Sequence, residues 1–180
     1  MVPCLVVVLG PIAAGKSTLC AELARRLDAA GRTTVVAGVD EVAAMAPAGL
    51  PDWDLAHRVH GALVAAWLAT PVDTVIADGA FFSRQETDWL MAGVPPGVRV
   101  VRVLLRASYP VALRRVTGDP ARGLSRDPVF LRGVYDRFER LRPGLDPCDL
   151  EVDADRVPAD LVADRVADLV LTGRGAAAPG

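Results

Sequence analysis

One lysine stands in a chain whose other nineteen basic side chains are all arginine. It is Lys16, inside "LGPIAAGKSTL", residues 9–19. Gly10-x-x-x-x-Gly15-Lys16-Ser17 has the spacing of a phosphate-binding loop. Glycines in such a loop let successive backbone N–H groups face one way and form an anion nest. Gly10, Pro11, Ala13, Ala14, Gly15 and Thr18 supply that backbone here. Lys16 is expected to reach the β- and γ-phosphates of a bound ATP, and the Ser17 hydroxyl to bind Mg²⁺. An ammonium is a compact point charge on a thin stem, and it fits inside a wrapped loop where arginine's planar fork does not.

Two acids are placed to work beside this loop. Asp40, in "VVAGVDEVAAM", is expected to end a second strand lying next to the first, facing the γ-phosphate. A carboxylate there can orient an acceptor hydroxyl and take its proton late in transfer. Glu41 is the fallback for that role, but is expected to point elsewhere on a helix. Asp78, in "VIADGAFFSRQE", ends another apolar run.

Six arginines, Arg114, Arg115, Arg122, Arg126, Arg132 and Arg137, surround the Gly- and Pro-rich stretch 117–128. Charge on a phosphoryl group in transit needs neutralising in a water-poor site. A mobile loop can close for chemistry and open for product release. Resemblance to adenylate-kinase-like kinases, in which a lid closes over ATP and supplies arginines, implies Arg122 and Arg126 as the lid residues, with Arg132 and Arg137 on the helix behind it. Met45, Trp53, His57, His60, Trp67, Phe81, Phe82 and Trp89 all fall between the second strand and the fourth. Met45, Trp53, His57, Phe81 and Phe82 are the candidates for an acceptor pocket, while Trp67 shares a helical face with Leu63 and is expected in the core. An aromatic lining suits an apolar or ring-containing acceptor. A highly charged sugar phosphate would call for more than Arg58 and Arg84 in this region.

These residues need a frame. "PCLVVVL" (3–9) reads as a strand buried on both faces. A helix follows, with Leu19, Leu23 and Leu27 on one face and Gly31 as its stop. "TTVVAGV" (33–39), "DTVIAD" (73–78), "VRVVRVLL" (98–105) and "DLEVDA" (149–154) read as four more strands. Asp52 can cap a helix to Leu68 carrying Leu55, Val59, Leu63 and Trp67 at fourfold spacing. Ser83 and Glu86 have the spacing of a capping box. Pro110 suits a helix start, Phe130, Val134 and Phe138 share a face of the next helix, and 158–171 is a last amphipathic helix. Alternation of strands and helices predicts an α/β three-layer sandwich around a five-stranded parallel sheet. Ligands of such a sheet bind at the carboxyl ends of its strands. Residues 1–172 are expected to form one domain with a lid at about 117–128, and 173–180 a flexible tail.

The chain has 180 residues, 52% hydrophobic and 23% charged, which is a globular composition. Its apolar runs are too short to span a bilayer and no signal peptide is evident, so a cytoplasmic protein without a membrane partner is expected. A net charge of -2 argues against a nucleic-acid partner. Cys4, Cys20 and Cys148 are odd in number without metal-ligand spacing, as free thiols in a reducing compartment would be. A monomer or homodimer is compatible with all of this.

With Lys16 the only lysine, the Asn-Lys-x-Asp base-reading motif of a GTPase switch is impossible. Gly79, not an acid, follows Asp78, which disfavours an ATP-driven motor. A kinase of small molecules remains. "VIADGAFFSRQE" resembles the third-strand segment of adenylate-kinase-like nucleoside monophosphate kinases, which implies that Asp78 holds Mg²⁺ through water. The same resemblance implies that Arg115 packs on adenine; Asp119 stands where a further lid arginine is common. The loop with Gly38-Val39-Asp40 and the Ala44-Met45 that follows resembles chloramphenicol phosphotransferase, whose catalytic base matches Asp40. "DWDLAHRVHGALVAAWL" and the strand after it are also similar to tunicamycin-resistance-type ATP-binding proteins and zeta-toxin-like kinases. What these resemblances imply is an ATP-dependent phosphotransferase acting on a small-molecule hydroxyl, an antibiotic among the candidates. A nucleotide, sugar or polynucleotide-end kinase and a nucleotide-binding regulatory module are the alternatives.

Overall fold

The structure, a computed structural model, describes residues 2–47 and 52–173. Five parallel strands form one sheet: β1 (Cys4–Leu9), β2 (Thr34–Gly38), β3 (Thr74–Asp78), β4 (Arg99–Arg106) and β5 (Leu150–Asp153). Their order across the sheet is β2-β3-β1-β4-β5. The second strand therefore lies at the edge against β3, not beside β1 as expected from sequence. Every residue of β1 is buried. Cys4, Val6 and Val8 enter one core and Leu5, Val7 and Leu9 the other, so the continuous apolar run is what a central strand with two covered faces requires.

Among the described residues, seven α-helices accompany the sheet: α1 (Lys16–Ala29), α2 (Val39–Ala44), α3 (Trp53–Leu68), α4 (Arg84–Met91), α5 (Tyr109–Thr117), α6 (Pro128–Leu141) and α7 (Ala159–Thr172). Leu19, Leu23 and Leu27 of α1 pack with Val162, Val166 and Val170 of α7 on one face. Val64, Leu68, Leu90 and Phe138 pack on the other. Sheet and two helical layers make the three-layer sandwich that the alternation of elements predicts.

Local signals start the helices where the sequence places them. The Asp52 side chain accepts from the Asp54 N–H at the head of α3, and Ser83 with Glu86 closes a complete capping box on α4. The fourfold stripe on α3 behaves differently. Leu55, Val59 and Trp67 are exposed, and the face toward the sheet is Ala56, His57, His60, Gly61, Val64 and Leu68. Gly61 lies so close to the Trp89 backbone that a Cβ would collide with it. Small residues thus let α3 approach α4, and that close approach selects the buried face over the larger side chains. On α6 the buried residues are Leu131, Tyr135 and Phe138, whereas Phe130 is 37% exposed. The stretch between α5 and α6 is not an open loop; Pro120–Arg126 forms 3₁₀ turns broken at Gly123.

Candidate active site

The phosphate loop leaves β1 through Gly10, whose φ is 143°. A Cβ there would collide with the Leu105 carbonyl of β4, so only glycine lets the loop cross that strand. Gly15, with φ 100°, turns the chain into α1, and no side chain caps the helix. Its first N–H groups, with the positive end of the helix dipole, face the loop's hollow as an anion site. Lys16 Nζ donates to the Pro11 carbonyl at 3.1 Å, which folds the ammonium over the loop.

Across the hollow, the Ser17 hydroxyl donates to Asp78 Oδ2 at 3.3 Å. Asp78 Oδ1 is buried and has no hydrogen-bond partner. Burial holds the Asp78 carboxyl above its ordinary range; the Lys16 charge opposes that, and the Asp40 charge adds to it. A buried carboxylate oxygen without a protein donor is suited to a cation. No group of three or more His, Cys, Asp or Glu among the described residues could hold a metal on its own. The Ser17–Asp78 pair instead fits Mg²⁺, which takes one or two protein oxygens and completes its shell with phosphate and water.

Sheet register brings Asp40 to this point. Gly38 of β2 and Val8 of β1 both pair with Asp78. Asp40 does not end the strand; it sits two residues further on, exposed in the first turn of α2. Glu41 does not point away as expected. Its carboxylate folds back against Gly38, where a Cβ would collide with it, and its charge acts on Asp78, Cys20 and His60. The absence of a side chain at residue 38 makes that approach possible, a signal that lies in the Gly-x-x-Glu spacing.

A cavity of about 320 Å³ opens beside the loop, lined by Ala14, Thr18, Arg115, Arg122, Val157 and Pro158 among others. Arg115 spans it, donating to the Ala13 carbonyl at 2.9 Å and the Ala154 carbonyl at 2.8 Å. Arg115 and the segment after β5 thus meet across this cavity. Arg122 reaches this cavity and pairs with Asp119 at 3.1 Å. Arg126 is exposed at the end of the 3₁₀ segment.

Two other arginines are occupied elsewhere. The Arg132 guanidinium stacks 3.5 Å from the Tyr109 ring centroid. Arg137 donates to Glu86 Oε1 at 2.6 Å. Glu86 is 5% exposed, and its Oε2 accepts from the Phe82 and Ser83 N–H groups.

Of the residues expected to line an acceptor pocket, Met45 and Trp53 are exposed at 77% and 46%, while His57, Phe81 and Phe82 are buried. Phe82 packs edge-on against Phe138, and Phe81 lies between the His57 and His60 rings. The buried three are packed inside the fold rather than lining an open surface. His57 Nδ1 lies 2.7 Å from the Trp53 carbonyl, leaving Nε2 buried without a partner. His60 Nε2 lies 2.9 Å from the Ala37 carbonyl and anchors α3 to β2. Trp67, expected in the core, is 40% exposed.

A family model described as an AAA domain matches residues 5–129. No curated protein matches the sequence. Many solved structures share the fold. The APS kinase CysC of Mycobacterium tuberculosis, in complex with AMPPNP and APS, aligns with a TM-score of 0.65 at 19% identity over 94% of this chain and 98% of its own. Shikimate kinase from Acinetobacter baumannii, in complex with shikimate, aligns at 0.61 and 19% over 97% and 96%. The tunicamycin resistance protein of Deinococcus radiodurans aligns at 0.60 and 17% over 93% and 95%. At these identities the likeness establishes the α/β phosphate-loop kinase fold.

Proposed function

We propose that this chain, which belongs to the AAA domain family, moves the γ-phosphoryl group of ATP to a hydroxyl of a small molecule. The observation that carries the reading is the unpartnered buried Asp78 Oδ1 beside Ser17, with Asp40 on the helix turn that opens over it. Phosphate loop, cation ligands and a free carboxylate converge at one end of the sheet.

The base of ATP occupies the cavity between Arg115 and residues 154–158. Backbone N–H groups of residues 13–18 and the Lys16 ammonium hold the phosphates. Ser17 and Asp78 would hold Mg²⁺, which when bound neutralises charge on the β- and γ-phosphates. Asp40 orients the acceptor hydroxyl and takes its proton. A bond forms from the acceptor oxygen to the γ-phosphorus as the bond to the β–γ bridging oxygen breaks, and ADP leaves with that oxygen. Arg122 and Arg126 close over the transferring group from the 3₁₀ segment. Residues 1–172 act as one kinase domain with that segment, at about 117–128, as its lid.

Met45 and Trp53 border the acceptor, over a floor of His57, Phe81 and Phe82. An apolar or ring-containing alcohol suits that surface better than a charged sugar phosphate. Antibiotic inactivation is the sharper form of this reading, supported by the sequence resemblance around Asp40. Three free cysteines suit a reducing cytoplasm, and no helix among the described residues is long and apolar enough to cross a membrane. The test is an acceptor screen by ADP release with chloramphenicol, nucleoside antibiotics, aminoglycosides and sugars. Mass spectrometry of each mixture should find one added phosphoryl group on the active acceptor. ATP binding without any phosphorylated product would instead support a nucleotide-binding module.

A further inference from the structure

Ala13 is the non-glycine residue with positive φ among those described, at 60°. The left-handed region is unfavourable for an L-residue and persists only where the surroundings over-determine it. Two side chains from outside the loop supply that constraint. The Tyr135 hydroxyl on α6 donates to the Ile12 carbonyl at 3.0 Å. Arg115 on α5 donates to the Ala13 carbonyl at 2.9 Å. These two carbonyls belong to the two peptide units flanking Ala13, and the orientation of those units is what its φ and ψ measure. A planar trans amide points its N–H opposite to its carbonyl. Drawing the Ile12 carbonyl toward α6 therefore turns the Ala13 N–H away from α6, to the phosphate side of the loop.

Tyr135 is itself held. It is 5% exposed and packs edge-on against Tyr109 at 5.9 Å. Tyr109 donates to the Pro128 carbonyl at the start of α6 and carries the Arg132 guanidinium on its face. Burial pushes the phenol of Tyr135 up from its ordinary value, so it stays a donor at working pH. Helices α5 and α6 are also the two that bracket Arg122 and Arg126.

We infer that Tyr135 is a positioning residue: its hydroxyl holds Ala13 in the left-handed conformation that the phosphate cradle needs, and ties that cradle to the helices bearing the arginine segment. The inference rests on reading residues 10–18 as an ATP site.

The test is a mutant cycle read by calorimetric titration with Mg·ATP, on wild type, Tyr135→Phe, Ala13→Gly and the double variant. Tyr135→Phe keeps the ring and deletes the hydroxyl, so melting should change by no more than about 3 °C. Its Kd for ATP should rise about tenfold. Glycine enters the left-handed region freely, so in the Ala13→Gly background the same deletion should weaken binding by less than about threefold. Equal losses in both backgrounds would mean that Tyr135 only packs, and would overturn the inference even if Tyr135→Phe proved less stable. Wild-type affinity in Tyr135→Phe would also overturn it and leave the functional reading intact. A wild-type protein that binds no nucleotide would overturn both.

Discussion

Ser17 and Asp78, sixty-one residues apart in sequence, meet at 3.3 Å, the serine hydroxyl donating to one carboxylate oxygen while the other stays buried and unpartnered. A folded-state pKa raised by burial has a definite sign for stability. The contribution of such an acid is fully present below its unfolded value and is lost as pH rises through the folded one. At neutral pH and without a cation, Asp78 therefore destabilises the fold. Asp78→Asn should raise the melting temperature of nucleotide-free protein by about 2–4 °C at pH 7.5. It should lower turnover by about a hundredfold or more. Thermal unfolding without Mg²⁺, paired with an ADP-release assay, checks both; a less stable Asp78→Asn protein would contradict the assignment.

Arg122 and Arg126 should matter to the transferring group more than to bound ATP. Alanine at either position should reduce kcat about a hundredfold while ATP affinity changes less than about fivefold. Steady-state kinetics beside direct ATP titration separates the two effects. Unchanged kcat in both variants would remove the lid role.

Arg137 predicts the opposite pattern. Its partner Glu86 is buried and also holds the first turn of α4 together. Arg137→Ala leaves that carboxylate half-satisfied at a cost of about 1–2 kcal/mol, reduced from a fully buried pair because Arg137 is itself half exposed. Melting should fall by roughly 2–8 °C with the KM for ATP unchanged. A raised KM for ATP with unaltered melting would return Arg137 to the phosphates.

Burial lowers the pKa of His60 below its ordinary value. The unfolded chain then binds a proton below about pH 6.5 that the folded chain refuses. Stability is complete above that pH and falls as acid is added, by up to about 1.4 kcal/mol per pH unit from this one group. His60→Gln keeps a donor for the Ala37 carbonyl and should lose that component of the slope. Urea midpoints at pH 7.5 and 5.5 give the comparison; equal slopes in the two proteins would show that His60 titrates normally.

The phosphate loop, the capping box and the double-faced β1 were legible because each is a local pattern with a local cause. Gly15 at the head of α1 and the Ser83–Glu86 cap on α4 do that work within a few residues. Strand order was not legible: β1 and β2 are both short apolar runs, and neither records that β3 lies between them. The stripe of Leu55, Val59 and Trp67 misled because Gly61 packs against the Trp89 backbone and turns the smaller face inward. Tyr135 and the pairing of Arg137 with Glu86 were invisible for the same reason. Each depends on where a distant backbone passes, which residue spacing does not record.

Asp40 is exposed, lies one short turn beyond the strand end that pairs with Asp78, and adds its charge to that site. The most direct measurement is transfer to an active acceptor by Asp40→Asn, set beside its affinity for Mg·ATP. The variant should bind ATP within about threefold of wild type and transfer at least about a hundredfold more slowly. Wild-type transfer by Asp40→Asn would contradict Asp40 as the base and, with it, the assignment of this face of the cleft to a hydroxyl acceptor.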